Sequence, residues 1–222
     1  MPTTGSIAAV ILAAGSSSRM GEGRHKLLLP LAGRPVLAHV LDSVLASSAR
    51  PIILVLGHRI DEVRAHIASY LNNSAITIVE NPAYLQGMST SMRVGLQALM
   101  AQMTGTSTEQ SISGAIILLG DQPLLTPQII DALISTRQKT GKRIVAPLYE
   151  GKRGNPTLFD ASLFPELLQV SGDEGGRGVL ARHKEEVATV EARDTLANYD
   201  VDTWEAYQQV VGIWQQEGRQ TS

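Results

Sequence analysis

The chain has 222 residues, of which 43% are hydrophobic and 18% are charged, a composition that supports one large or two small folded domains and argues against disorder. The net charge of −2 argues against nucleic acid or an anionic membrane as the main partner, because both need a basic surface. Cysteine is absent, which excludes disulfides, thiolate metal sites and cysteine nucleophiles. No apolar run is long enough to span a bilayer and the N-terminus carries no basic leader, so we expect a cytoplasmic protein.

Short apolar runs alternate with longer stretches of helical periodicity along most of the chain. The predicted strands are residues 7–13, 51–56, 76–79 and 114–119. The predicted helices are residues 35–47, 60–71, 89–103 and 127–139. Because the strands are apolar throughout, the pattern predicts an α/β fold with a mostly parallel central sheet that is covered on both faces.

The remainder of the chain is less regular. The predicted strands there are residues 144–147, 157–159 and 187–190, and a final helix is expected to end near residue 216. The charged, glycine-rich segment 172–178 is predicted to be a flexible loop, and the polar segment 105–113 a surface loop. No stretch is long enough to link two independent domains, so the sequence favours a single domain.

The first predicted strand ends in a loop of small residues that carries two cations. The loop reads Leu-Ala-Ala-Gly-Ser-Ser-Ser-Arg-Met-Gly over residues 12–21, and Lys26 follows it. Small residues let backbone N–H groups approach a phosphate, and Arg19 and Lys26 supply positive charge for a polyphosphate. The loop matches neither the P-loop nor the dinucleotide-binding glycine motif. It indicates a nucleotide site, with an ordinary strand-to-helix loop as the alternative.

Carboxylates follow the apolar runs at two other places. Asp121 comes just after the strand predicted at residues 114–119, and ligands bind at the carboxyl ends of parallel strands. Asp121 is therefore the first candidate for a Mg²⁺ ligand, with a turn residue as the alternative. Asp200 and Asp202 flank one residue and would share a face of an extended segment, so Asp202 is a candidate second ligand. The alternative is that Asp202 and Thr203 cap the final helix.

Taken together, these features resemble the MobA-like nucleotidyltransferase family, which includes the molybdenum cofactor cytidylyltransferases and the related guanylyltransferases. The motifs that carry the resemblance are the loop at 12–21, Lys-Leu-Leu-Leu-Pro at 26–30, Gly-x-Pro at 33–35, Glu-Asn-Pro at 80–82, Gly-Met-Ser-Thr-Ser at 87–91, Gly-Asp-Gln-Pro at 120–123, Gly-Asn-Pro at 154–156, Gly-Asp at 172–173, Arg177 and Asp-Val-Asp-Thr at 200–203. The resemblance covers nearly the whole chain. It implies a single Rossmann-like, three-layer nucleotidyltransferase domain over residues 1–222, with a nucleotide-binding part at about 5–125 and an acceptor-binding part at about 126–205.

The resemblance also implies a magnesium-dependent reaction, in which the terminal phosphate of molybdopterin attacks the α-phosphate of CTP and pyrophosphate leaves. The catalytic residues implied by the resemblance are Arg19, Lys26 and Asp121, the two cations stabilising the pyrophosphate. The implied nucleotide-binding residues are Leu12, Ala13, Ala14, Gly15, Arg19, Lys26, Asn81, Gly87, Ser89 and Ser91. The implied Mg²⁺ ligands are Asp121 and Asp202, and the implied acceptor-binding residues are Arg153, Asn155, Asp173 and Arg177.

Ala14 is the one clue to the base. Relatives that use GTP usually carry Leu-Ala-Gly-Gly at this loop, so Ala14 favours CTP by resemblance. Three alternatives stay open at this stage: a molybdopterin guanylyltransferase, a transferase for a sugar or polyol phosphate, and a nucleotide-binding accessory protein that delivers cofactor to a molybdoenzyme without catalysis. Retention of the two cations and the two carboxylates argues against the last, because a binding module needs no metal ligands. A recipient molybdoenzyme is a further possible partner.

Overall fold

A computed structural model describes residues 5–21, 23–105, 111–192 and 194–216. The strands are β1 (Ser6–Ala13), β2 (Pro30–Leu31), β3 (Arg34–Pro35), β4 (Ile52–Leu56), β5 (Ile76–Glu80), β6 (Ile112–Leu119), β7 (Ile144–Tyr149), β8 (Lys152–Arg153), β9 (Thr157–Asp160) and β10 (Val187–Glu191). The helices are α1 (Val36–Ala46), α2 (Ile60–His66), α3 (Met88–Gly105), α4 (Pro127–Thr140), α5 (Phe164–Leu167), α6 (Arg177–Arg182) and α7 (Trp204–Gln216). Most of the loop predicted at 105–113 lies outside the described residues.

The main sheet has the strand order β10-β7-β9-β6-β1-β4-β5, with β8 paired to β7. Strand β1 lies between β4 and β6 and is parallel to both, so that Leu12 pairs with Leu119 and Ala13 with Leu56. Strands β4 and β5 are parallel, as are β7 and β10, whereas β9 runs antiparallel between β6 and β7. The prediction of a mostly parallel sheet is confirmed.

Helices cover both faces of the sheet and give three layers. Alternate residues of β1 belong to different cores: Ile11 packs in the cluster that contains α1 and α4, and Val10 packs in the cluster that contains α3. Helix α3 lies close to β1 because Gly95 faces the sheet, where an added Cβ would come within 2.5 Å of Val10 Cγ1. The apolar strand sequences are thus explained by burial on both sides.

A third cluster ties the end of the chain to the segment after β1. Helix α7 contributes Tyr207 and Val210, which pack with Met20 from that segment and with Val201. The pairing brings the C-terminal aspartates toward the carboxyl end of β1. Among the described residues, none of the helices has the length and apolar character that crossing a membrane requires.

Several local features differ from the sequence prediction. Helix α5 was not predicted, and α6 begins at Arg177, inside the loop predicted over residues 172–178. The helix expected over residues 60–71 is broken: α2 ends at His66, and a separate 3₁₀ turn spans Ala68–Tyr70. Tyr70 there donates a 2.7 Å hydrogen bond to Asp42 of α1, so a tertiary contact competes with continuation of the helix. The β2–β3 hairpin was not predicted, because each of its strands has only two residues and carries no periodicity.

Candidate functional site

A cavity of about 830 Å³ opens at the carboxyl ends of β1 and β6. Residues from both halves of the chain line it. The residues predicted to form the site that line this cavity are Leu12, Ala13, Ala14, Gly15, Arg19, Lys26, Gly87, Ser91, Asp121, Asn155, Asp173, Arg177 and Asp202. The position agrees with the rule that ligands of open α/β sheets bind beyond the carboxyl ends of the strands.

The loop after β1 folds back so that Lys26 returns to the strand end. Ser17 adopts a left-handed backbone conformation with φ of 57°, and its carbonyl accepts a 3.0 Å hydrogen bond from Met20 N. The Ser17 hydroxyl accepts a 3.1 Å hydrogen bond from Lys26 N. His25 adds a second anchor, since its Nε2 lies 3.2 Å from the His58 carbonyl beyond β4. These contacts place the Lys26 side chain over the end of the sheet.

Lys26 joins two carboxylates that are far apart in sequence. Its Nζ donates to Asp121 Oδ2 and, over 2.6 Å, to Asp202 Oδ1. Arg19 Nη1 lies 3.1 Å from the other oxygen of Asp202. Burial by itself lowers the pKa of Lys26, but the two carboxylates outweigh burial and hold that pKa above its ordinary value. The same pairing outweighs burial at Asp202 and holds the pKa of its carboxyl below the usual range.

The two carboxylates fit a divalent cation that is shared with a nucleotide. Asp121 and Asp202 already direct one oxygen each at a common positive group, the Lys26 ammonium. No group of three or more His, Cys, Asp or Glu side chains forms a possible metal site within the part of the chain that is described. A pair of carboxylates is nevertheless the donor set expected for Mg²⁺ with a nucleotide, because substrate phosphates and water complete its coordination. These residues therefore fit the implied metal.

The helix cap expected as an alternative for Asp202 is made by its neighbour. Thr203 Oγ1 accepts a 3.2 Å hydrogen bond from Ala206 N in the first turn of α7. Asp202 itself points to Lys26 and Arg19. The geometry thus separates the two residues that the sequence could not: Thr203 caps the helix and Asp202 faces the cavity.

Asp200 also lines the cavity but is held differently. Gln122 Nε2 donates a 2.6 Å hydrogen bond to its Oδ1. Burial, followed by the negative charge of Asp121, raises the pKa of Asp200 to about 6. Gln122 is almost fully buried, and sequence reasoning missed its supporting role, although it stands directly after Asp121 in the Gly-Asp-Gln-Pro motif. The hydrogen bond from Gln122 thus fixes the Asp200 carboxylate, which is not one of the two carboxylates that Lys26 joins.

The structure does not place Asn81, Ser89 or Arg153 at the cavity wall. Asn81 is fully buried, and its Nδ2 donates 2.9 Å hydrogen bonds to the hydroxyls of Thr90 and Ser91. Ser89 is also buried, and Arg153 lies exposed on β8. Asn81 therefore supports the first turn of α3 from beneath, and a direct ligand contact by any of the three stays a prediction.

Tyr84 is a cavity residue that sequence reasoning missed. It lies in the loop between β5 and α3, lines the cavity and places its hydroxyl 3.3 Å from His58 Nδ1. Only its aromatic character within a polar loop could have indicated it. Next to it, Leu85 leaves 77% of its surface exposed at the cavity. An exposed apolar side chain at the edge of the cavity can pack against the face of a flat ring.

A mostly parallel sheet with cations and carboxylates at its carboxyl edge is typical of nucleotide-using enzymes of the α/β class. The chain belongs to the MobA-like NTP transferase domain family, whose model matches residues 9–187. It carries a nucleotidyltransferase domain, with the Rossmann-like fold that the resemblance implied.

Curated relatives carry several names. The chain is 32% identical over 160 residues to molybdenum cofactor cytidylyltransferase of Escherichia coli K12, covering 72% of this chain and 73% of that protein. It is 28% identical over 209 residues to nicotine blue oxidoreductase of Paenarthrobacter nicotinovorans, covering 90% and 93% of the two chains. It is also 35% identical over 129 residues to the bifunctional protein GlmU of Halorhodospira halophila, covering 58% of this chain. That match spans only 24% of the length of GlmU.

Solved structures agree on the fold over nearly the full length. The chain is 28% identical to Rv0371c of Mycobacterium tuberculosis H37Rv, with a TM-score of 0.75 over 95% of this chain and 99% of that one. A structure described as a complex of Rv0371c with manganese matches at 27% identity and a TM-score of 0.70, over 93% and 98% of the two chains. A divalent metal is therefore found with a structural relative of this chain.

Proposed function

We propose that this nucleotidyltransferase transfers CMP from CTP to the terminal phosphate of molybdopterin, giving a molybdopterin cytosine dinucleotide. The observation that carries the proposal is the junction of Lys26 with Asp121 and Asp202 beside the loop after β1. The similarity to a molybdenum cofactor cytidylyltransferase over most of both chains supports the choice of reaction. The cytoplasmic location and a recipient molybdoenzyme stay predictions.

In the proposed reaction, an oxygen of the molybdopterin phosphate attacks the α-phosphorus of CTP. A new phosphorus–oxygen bond forms there, the bond from the α-phosphorus to the bridging oxygen of the β-phosphate breaks, and pyrophosphate leaves with that bond's electrons. Because the nucleophile is already an anionic phosphate, the protein need not remove a proton. Positioning and neutralisation of charge are then the main contributions of the protein.

Lys26 and Arg19 suit the neutralisation of the leaving pyrophosphate. The Lys26 side chain is 17% exposed, so its charge acts in a site with little competing water. Arg19 is much more exposed, at 70%, and contacts the Asp202 oxygen that Lys26 does not. Asp121 and Asp202 would hold Mg²⁺, which supplies Lewis-acid stabilisation of the phosphate oxygens. Lys26 would then exchange a carboxylate partner for phosphate when the nucleotide binds.

The acceptor is proposed to enter from the side of β9 and α6. Asn155 and Arg177 line the cavity, as does the loop after β1. Arg177 is exposed and has no hydrogen bond or ion pair with another described residue through its side chain, so its guanidinium is available for an anionic acceptor. Ala14 supports CTP over GTP through the resemblance described above.

The test is pyrophosphate release by the purified protein with Mg²⁺, offering CTP or GTP with and without molybdopterin. We expect release from CTP only when molybdopterin is present, together with a product that contains both moieties. A sugar 1-phosphate and 2-C-methyl-D-erythritol 4-phosphate serve as competing acceptors and represent the sugar and polyol phosphates that the sequence leaves open. Transfer to either of them but not to molybdopterin would replace the proposed acceptor. Binding of CTP without transfer to any acceptor would favour the accessory-protein alternative.

A further inference from the structure

Two loops from opposite halves of the chain meet at the cavity. Residues 84–88 precede α3, and residues 172–177 lead into α6; both segments line the cavity. Ser89 N donates a 3.0 Å hydrogen bond to the carbonyl of Gly172, and Met88 N donates a 3.0 Å hydrogen bond to Asp173 Oδ1. The first two N–H groups of α3 are thus satisfied by a loop that lies 85 residues further along the chain.

The two loops are in direct backbone contact. Gly87 has a left-handed φ of +106°, and a Cβ added there would lie 2.7 Å from the Gly172 carbonyl oxygen. A Cβ added to Gly175 would lie 3.2 Å from the sulfur of Met88. Side chains at these glycines would force the loops apart, so the sequence leaves room for the Asp173 carboxylate to reach α3.

The Asp173 carboxylate accepts a hydrogen bond from the start of helix α3, where backbone N–H groups would otherwise lack a partner. The N-terminal N–H groups of a helix lack intrahelical partners and carry partial positive charge, which an aspartate carboxylate neutralises. Helix α3 extends over 18 residues, and the residues in its first turns, Met88, Ser91 and Met92, form part of the cavity wall. Contacts that fix the start of α3 therefore also fix this part of the cavity wall.

A second support acts on the same turn from below. Thr90 Oγ1 donates a 2.8 Å hydrogen bond to the Gly87 carbonyl, and Asn81 donates to Thr90 and Ser91 from the sheet side. Asn81 and Thr90 belong to the same half of the chain as the wall they support. Asp173 reaches this wall from the other half of the chain, as a charged side chain.

We propose that Asp173 is a positioning residue for the nucleotide: its carboxylate fixes residues 84–88 and the first turn of α3 as the wall of the CTP subsite, and it does not contact the acceptor. This replaces the acceptor-binding role that the resemblance implies for Asp173. The inference rests on the proposed function only in naming CTP as the nucleotide. It predicts that a residue in the acceptor half controls nucleotide affinity.

The test compares Asp173→Ala with Asp173→Asn in the full-length protein. Calorimetry measures the Kd for CTP with Mg²⁺, and amide hydrogen exchange without nucleotide measures protection of residues 88 and 89. For Asp173→Ala we expect an increase of about fivefold in the Kd for CTP, the size of effect that loss of one helix N-cap produces, with faster exchange at both amides. Asparagine keeps an acceptor oxygen at the same distance, so Asp173→Asn should restore most of both losses.

Glu174→Ala is the matched control, because it removes a neighbouring exposed carboxylate from the same loop and should leave exchange at residues 88 and 89 unchanged. Unchanged exchange and CTP affinity in Asp173→Ala would overturn the inference. A rise confined to the KM for the acceptor would also overturn it and return Asp173 to the acceptor site. The exchange measurement needs no ligand, and the calorimetry needs no acceptor. Failure of molybdopterin as a substrate therefore leaves both results decisive.

Discussion

The two sides of the cavity are held by different kinds of contact. On the side of the loop after β1, the backbone continues from fully buried parallel strands: Gly120 N donates to the Leu12 carbonyl over 2.9 Å and His58 N donates to the Ala14 carbonyl over 3.1 Å. On the side of α6 and β10, partly exposed ion pairs join neighbouring segments: Arg143 with Glu186 and, over 2.5 Å, Arg182 of α6 with Glu166 of α5.

The difference in contacts suggests different roles for the two sides. The side beside β1 suits residues that carry the chemistry, and the side beside α6 suits residues that recognise a substrate. Hydrogen bonds between backbone atoms of buried strands do not depend on which side chains are present. A substitution that preserves the packing of the core therefore also preserves the position of the loop. Exposed ion pairs contribute little each, and loops change readily among relatives of one fold. We therefore expect substitutions beside β1 to change the rate, and substitutions beside α6 to change substrate affinity or stability by smaller amounts.

The largest effect is expected from Asp121→Asn, which removes a negative charge from the end of β6 while keeping its shape. If Asp121 holds the metal, turnover should fall by about three orders of magnitude, the upper range for loss of a preorganised electrostatic contact. The check is the rate of pyrophosphate release across a Mg²⁺ titration, with circular dichroism to confirm folding. Asp61→Asn, at an exposed position in α2, is the control. Activity close to the unmodified protein would remove Asp121 from the metal site.

Lys26→Ala should lower kcat by about two orders of magnitude, because it removes one buried charge from the path of the leaving pyrophosphate. It also leaves Asp121 and Asp202 facing each other without the ammonium that joins them. Single-turnover kinetics at saturating CTP should show the loss, and Lys139→Ala, on the exposed end of α4, should not. A change in KM for CTP with kcat preserved would assign Lys26 to ground-state binding instead.

Ala14→Gly tests the base preference. A Cβ added to Gly57 would lie 2.8 Å from Ala14 Cβ and 3.0 Å from Tyr84 Cβ, so the Ala14 methyl lies against the backbone just after β4, near a cavity residue. Removing one methyl from such a contact should reduce the CTP-to-GTP ratio of kcat/KM by about tenfold.

The matched variant Ala14→Gly/Gly57→Ala returns a methyl group to the same gap from the segment that follows the neighbouring strand β4. It should regain part of the preference for CTP over GTP. Competition assays with both nucleotides measure the ratio for each variant. An unaltered ratio in Ala14→Gly would show that the methyl does not select the base.

The smallest effect concerns His183 on the acceptor side. Hydrogen bonds to Glu166 at 2.7 Å and Glu186 at 3.2 Å raise the pKa of His183 above its ordinary value. A raised pKa in the folded state stabilises the protein fully below the unfolded pKa, about 6.5, and the benefit is lost as the pH rises through the folded pKa. His183→Gln should therefore lower the Tm more at pH 5.5 than at pH 9, by no more than about 4 °C. Equal shifts at both pH values would contradict a charged His183.

Local pattern was enough to place the loop after β1 and Asp121 at the cavity. The apolar runs predicted the ends of β1 and β6, and ligands bind beyond the carboxyl ends of such strands. Phosphate binding by the loop stays a prediction. The broken helix at residues 60–71 and the short β2–β3 hairpin escaped prediction. One depends on the contact of Tyr70 with α1, and the other on two-residue strands.

The sequence by itself determined the alternation of strands and helices, the loop after β1 and the identity of the charged groups, because periodicity and residue chemistry are local properties. Only the tertiary structure decided which groups meet. Lys26 and Asp202 are 176 residues apart, and no local pattern states that Thr203 rather than Asp202 caps α7 or that Asp173 reaches the start of α3. Those pairings arise from packing α7 and the loop before α6 onto the edge of the sheet, since contacts between distant segments exist only once the core has formed.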